Sequence, residues 1–97
     1  MNVFISYTTR DKYNDKAFLE QAAEYVTTFG RPYVDLLDNS ARFRQSEVER
    51  RLKRADLVLV IDTPAVWTSP WVAWEVEQAI NREIPLFLIP RTSMVTY

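Results

Sequence analysis

Residues Leu57-Val58-Leu59-Val60-Ile61 are five apolar side chains in a row, three of them β-branched. A strand with no polar face to offer water must be covered on both sides, the situation of a strand inside a parallel sheet. Crossing a bilayer takes about 20 apolar residues, so this run does not span one. Whatever the chain folds into must therefore place one layer of structure above this strand and another below it.

Three further stretches have strand character. Asn2 to Tyr7 is short, β-rich and ends in hydroxyls; Tyr33 to Leu37 is a second run; Ile84 to Ile89 is a fourth, bounded by Pro90. Helical patterns separate them. Asp15 to Phe29 keeps a 3.6-residue period in Phe18, Ala22, Tyr25, Val26 and Phe29, with Gly30 as a C′ glycine and Pro32 preventing continuation. Asp38-Asn39-Ser40 reads as a turn. Ser46 with Glu49 forms a capping box opening a helix that runs to about Arg54. Ser69 is a good N-cap and Pro70 suits the first helical position, so a third helix starts there. Its stripe is Val72, Val76, Ala79 and Ile80, with Trp71 and Glu75 one above the other on the neighbouring face. Glu75 is expected at the edge of that stripe, half in and half out.

The order is β-α-β-α-β-α-β with short connections, which predicts an α/β domain: a parallel sheet with helices on both faces. Residues 1–97 read as one domain, with neither repeat nor linker. Pro90 to Tyr97 is ambiguous, since Met94 to Tyr97 has the character of either a fifth strand or a loose tail. A bare fourth strand would leave an unpaired edge, so cover by the tail or by another subunit is expected.

A net charge of −1 predicts no nucleic-acid or membrane partner. The start, Met1-Asn2-Val3, lacks the basic residues of a secretory leader. Cysteine is absent, which suits a reducing, cytoplasmic compartment. Histidine is absent too, so Ser-His-Asp and Cys-His catalysis and the usual zinc and haem sites are excluded. No metal or cofactor is expected. Carboxylates, hydroxyls or lysines must carry any chemistry. Six of the twelve basic residues fall between Arg42 and Arg54, and they read as a solvated helix face balanced by Glu47 and Glu49.

In an open α/β sheet, ligands sit beyond the carboxyl ends of the strands. That rim collects Ser6, Tyr7 and Thr8 from the first strand, Leu37 to Ser40 from the second, and Asp62 and Thr63 from the third. Trp71 and Glu75 join them from the first turns of the third helix. Taken alone, Glu75 is also explained as a solvated carboxylate on a helix flank, and Trp71 as a packing aromatic.

Val3-Phe4-Ile5-Ser6-Tyr7, Ala55 to Val60, Ser69-Pro70-Trp71 with Glu75, and Ile84 to Pro90 resemble, in order, the TIR (Toll/interleukin-1 receptor) domain family. The resemblance covers most of the chain and suggests a small single-domain member of bacterial or phage-like kind. It implies a flavodoxin-like three-layer sandwich with four or five parallel strands, abbreviated relative to the usual family chain. It also implies one of two functions: cleavage of NAD⁺, or homotypic assembly with other TIR domains in immune signalling. In enzymatic members the Glu of this motif is catalytic, here Glu75, and the Trp lines the pocket, here Trp71. The Asp that commonly ends the second strand falls on either Asp35 or Asp38, and the following loop lacks the family's Gly or Pro.

One glutamate is chemically sufficient for the first function. Hydrolysis of an ordinary glycoside takes two carboxylates, one of them protonating the leaving oxygen. Nicotinamide leaves from a cationic pyridinium and departs neutral, so no general acid is needed. A carboxylate near the ribose C1 stabilises the oxocarbenium charge or attacks it. Trp71 would stack on a ring of NAD⁺, while Ser6, Tyr7, Thr8, Asp38 and Asn39 would bind ribose or phosphate oxygens. Two other readings stand beside this one: a non-catalytic TIR interaction module, and a nucleoside-processing enzyme of similar topology.

Overall fold

The computed structural model of the chain describes residues 1–10, 14–35 and 44–91. The elements follow the expected alternation: β1 (Asn2–Ser6), α1 (Lys16–Thr27), β2 (Arg31–Tyr33), α2 (Arg44–Lys53), β3 (Leu57–Asp62), a 3₁₀ turn (Val66–Thr68), α3 (Pro70–Asn81) and β4 (Leu86–Pro90). The four strands pair in parallel in the order β2-β1-β3-β4. This is the flavodoxin-like order, with its reversal at β1 and β3.

The pleat sorts the core into two layers. Val3 and Ile5 of β1 and Leu59 and Ile61 of β3 point to one face, where they pack with Phe18, Leu19, Ala22 and Val26 of α1. Phe4, Val58 and Val60 point to the other and meet Val48 and Leu52 of α2 and Val72 and Ala79 of α3. Residues 58–61 are all buried, as the unbroken apolar run requires. Burying four such side chains is worth about 1.5–3 kcal/mol each against exposure. Among the described residues, no helix is long and apolar enough to cross a membrane.

Several boundaries differ from expectation, among them that of β4, which runs Leu86–Pro90 and does not start at Ile84. β2 begins and ends earlier than Tyr33–Leu37. The cause lies at Gly30: its N–H bonds to the Val26 carbonyl and the next N–H, of Arg31, bonds to Met1 O, so pairing with β1 starts at once. The ladder stops at Tyr33, and Asp35 is already helical. Leu37 and the expected turn at Asp38-Asn39-Ser40 lie outside the described residues. α2 starts at Arg44, so Ser46 sits within the helix and does not cap it. Glu47 instead bonds to Arg50 and Arg51 one turn on, and Glu49 lies 3.9 Å from Lys53, the balanced face expected of this basic run. Arg42 and Met94 to Tyr97 also lie outside the described residues. Among the described residues β4 forms one edge of the sheet, with Phe87 59% and Leu88 47% exposed.

α1 is capped by Asp15, whose carboxylate accepts the Phe18 N–H at 2.8 Å. It ends at Thr27, and the expected apolar positions Tyr25 and Phe29 are exposed, packing edge to face on each other. Gly30 has no left-handed φ, so it is not needed as a C′ residue of the left-handed kind. Its requirement is steric. A Cβ there would stand 2.9 Å from both Met1 O and Val3 Cγ2, atoms belonging to the start of the central strand. Gly30→Ala is therefore expected to destabilise the fold by about 1–3 kcal/mol. Urea unfolding should show a lower midpoint at unchanged slope; an unaltered midpoint would mean that β1 yields at no cost.

Candidate active site

The crossover from β3 returns along the 3₁₀ turn to the carboxyl rim of the sheet, and α3 starts there. Ser69 ends the turn and caps the helix, its hydroxyl accepting the Val72 N–H at 3.3 Å. Pro70 follows at the first helical position, as the sequence predicts. From this fixed start the helix turns Val72, Glu75 and Ala79 fully inward, with Val76 half-buried beside them. The buried face is thus i, i+3, i+4, i+7, rotated from the expected stripe. Ile80, placed on the stripe by its apolarity, is 64% exposed.

Glu75 is consequently not at an edge. It is 2% exposed, a carboxyl group set where a packing helix ordinarily carries an aliphatic side chain. The solvated-flank explanation fails at this point. Its partner comes from the tip of β1: the Ser6 hydroxyl donates to Glu75 Oε1 at 2.7 Å, between two side chains that are both buried. Oε2 has no hydrogen-bond partner among the described residues. Burial drives the carboxyl up from its ordinary 4.5 to about 8, and the charge of Asp35 adds to the rise. The Ser6 hydrogen bond acts in the opposite direction, since it favours the ionised form.

Glu75 forms part of the wall of a cleft of about 320 Å³. Tyr7, Thr8, Thr9 and Arg10 border it from the loop after β1, Asp35 from beyond β2, and Ser69 and Trp71 from the start of α3. Trp71 is 38% exposed and stacks on Trp74, ring centres 5.5 Å apart and planes inclined by 19°. The loop after β1 is braced from two sides. Asn14 donates to the Thr8 carbonyl at 2.8 Å, and the Arg10 guanidinium donates to the Thr68 carbonyl of the 3₁₀ turn. Two buried polar atoms of this region, Asn14 Oδ1 and Thr63 Oγ1, lack a protein partner. Asp35 also accepts from the Tyr33 hydroxyl at 3.2 Å, and burial with that carboxylate nearby pushes the Tyr33 phenol well above its usual range.

Of the residues proposed from sequence, the structure brings Tyr7, Thr8, Trp71 and Glu75 to one cleft. Ser6 is joined to it through Glu75 and has no exposed surface of its own. Asp38 and Asn39 lie outside the described residues. Of the two aspartates the family pattern leaves open, Asp35 is on the cleft. Arg10 and Thr9 were not singled out, and nothing in their local sequence marks them; only the path of the loop brings them in. Among the described residues no group of three or more carboxylates could hold a metal ion, and the chain has no histidine or cysteine to add.

In a comparison with known families, the family model described as TIR domain aligns with residues 3–93. No curated protein matches the chain.

The buried carboxyl makes stability depend on pH in a defined direction. Above about pH 4.5 the unfolded chain releases the Glu75 proton, while the native state keeps it until about pH 8. Native stability therefore falls with rising pH across that window. Glu75→Gln keeps the acceptor for Ser6 and has no proton to lose. Its stability relative to the wild type should climb from pH 5 to pH 8 and then level off. Thermal unfolding of both proteins over a pH series measures this, and a constant difference would contradict the burial of an ionisable group.

Proposed function

This chain belongs to the TIR domain family, and on that footing we propose that its rim cleft cleaves the N-glycosidic bond of NAD⁺. The observation that carries the reading is Glu75: a carboxyl group buried under the cleft, bonded to Ser6 and, among the described residues, left with one unpartnered oxygen, near the indole of Trp71. A cleft of about 320 Å³ is at the small end for ligand sites. It suits the nicotinamide riboside end of the dinucleotide, with the remainder lying outward past Arg10 and Trp71.

In the empty site burial keeps Glu75 largely protonated at neutral pH. A pyridinium cation entering the cleft favours the carboxylate, because opposite charges attract strongly where water is scarce. Trp71 supports the same cation through its π face. As the bond from ribose C1 to the pyridinium nitrogen breaks, the bonding pair goes to that nitrogen and nicotinamide departs neutral. The positive charge moves to the ribosyl oxocarbenium, and the Glu75 carboxylate stabilises it. Water then adds at C1 and loses a proton to solvent, giving ADP-ribose; attack by a ribose or base atom of the same molecule gives a cyclic isomer. Ser6 acts as a positioning residue that fixes one carboxylate oxygen.

The same family membership supports assembly with other TIR domains, and a role in immune or defence signalling would combine assembly with cleavage. The competing reading is assembly alone, and the exposed Phe87 and Leu88 on the edge strand favour a contact of that kind. Nicotinamide release by the purified protein at high concentration separates the two. The wild type should release nicotinamide, and Glu75→Gln should lower the rate by about 10²-fold or more. Trp71→Ala should raise KM more than it lowers kcat. No release by the wild type under any assembling condition would overturn the enzymatic reading and leave the interaction module. Release of base from free nucleosides instead would point to a nucleoside-processing enzyme.

The pH profile gives an independent check. The wild-type rate at low substrate should rise with pH toward a plateau above about 8 as Glu75 ionises. Ser6→Ala removes a hydrogen bond that favours the carboxylate, so its profile should shift to higher pH. A profile unmoved by Ser6→Ala would show that the hydroxyl has only a packing role.

A further inference from the structure

A second cleft, of about 200 Å³, opens at the opposite end of the sheet, where β1 and β2 begin and α2 ends. Three arginines, Arg31, Arg51 and Arg54, are among its lining residues, and no Asp or Glu of the described residues is. We propose that it is a binding site for a phosphate or phosphate monoester group, held by these three arginines and distinct from the Glu75 rim.

Arg51 is preorganised for this. Its Nε donates to Glu47 Oε1 at 2.9 Å, and its guanidinium carbon lies 5.2 Å from the centre of the Tyr33 ring, which lines the same cleft. Both terminal nitrogens of Arg51 are thereby left with their N–H groups unbonded among the described residues, on a fork fixed by an ion pair and a ring. Arg31 and Arg54 have no side-chain partner among the described residues. Their main chains are held: Arg31 N–H donates to Met1 O at 2.7 Å, and the Arg54 carbonyl accepts from the Asn2 side chain at 3.2 Å. The nearby carboxylates are already engaged. Glu47 serves Arg50 and Arg51, and Asp56 accepts the Asn2 N–H at 2.7 Å.

Three arginines at one hollow, with Glu47 shared between Arg50 and Arg51 and Asp56 bonded to the Asn2 N–H, leave an excess of positive charge that favours an anion. Guanidinium forks match the oxygen spacing of phosphate and bind it through paired, charge-assisted hydrogen bonds. The backbone adds little here, because Pro32 has no N–H and that of Arg31 is used. Size narrows the class. At about 200 Å³ the hollow is below the usual range for larger ligands and takes a tetrahedral oxyanion with a small substituent, not a dinucleotide.

Titration of the ¹⁵N-labelled chain with inorganic phosphate, against sodium chloride at matched ionic strength, tests the site. Saturable amide shifts are expected at Asn2, Arg31, Arg54 and Ala55. Arg31→Ala and Arg54→Ala should each weaken binding by about tenfold, the effect of losing one charge-assisted contact. Both side chains are exposed, so each variant should keep the wild-type unfolding midpoint. No saturable shift, shifts confined to Tyr7 to Arg10 and Trp71, or an affinity unchanged in both variants would overturn the proposal.

Discussion

The whole arrangement depends on covering the central pair of strands, β1 and β3, on both faces. Neither has a polar side along its middle, so α1 must lie against one face and α2 with α3 against the other. Once that is required, little freedom remains. A parallel strand pair needs a crossover that leaves from the carboxyl end of one strand and returns to the amino end of the next. Each helix therefore begins at the carboxyl rim. The start of α3, pinned there by Ser69 and Pro70, lies next to the tip of β1 because those elements share one layer boundary. The contact between Ser6 and Glu75, 69 residues apart in sequence, follows from this topology.

The same covering explains the electrostatics of the site. A carboxyl group one turn into a helix would ordinarily titrate near 4.5, and Glu47 on the open face of α2 is instead held down to about 2 by Arg50 and Arg51. Glu75 moves the opposite way because its helix presses it against the sheet. Among the described residues no cation pairs with it to offset the loss of water, and the Ser6 hydroxyl supplies only part of the compensation. Two glutamates of one small domain thus differ in pKa by several units through environment alone, the condition under which one of them becomes available for chemistry.

The layers and the starts of α1 and α3 were legible because each rests on a local rule: unbroken apolarity for β3, Ser-Pro for α3, Asp15 for α1. The strand order followed from the family resemblance. The boundary of β2 was not, because it is decided by where Gly30 allows the chain to approach Met1, a contact across the sheet. Ser46 looked like a cap only because the residues before it carry no helical signal strong enough to extend the helix backward to Arg44. At the site, Trp71, Tyr7 and Thr8 were readable from the rim rule. The burial of Glu75 was not. A helical wheel weighted by apolarity assigns the inner face to Ile80 and sets Glu75 at the edge, whereas the sheet accepts the face carrying the glutamate and leaves the isoleucine in solvent. Arg10 reaches the cleft through the bond of its side chain to Thr68, which no spacing in the sequence encodes.

That exchange between Ile80 and Glu75 bears on function more than the motif does. A sequence selected only to hold α3 against the sheet would keep an aliphatic residue at position 75, since burying a carboxyl with one hydrogen bond costs free energy at every pH above its unfolded titration. Small domains have little stability to give up in this way. The cost is placed at the rim where a parallel sheet binds ligands, beside an exposed indole. A position that breaks a local rule without repairing it nearby is what a functional site looks like in a fold otherwise consistent at every level. Burial raises the titration of this carboxyl to about 8, and on the proposed reading a pyridinium reaching the cleft would favour its ionised form. Among the readings open to this family, the proposed cleavage gives that burial a use, whereas assembly alone needs no buried carboxyl at position 75.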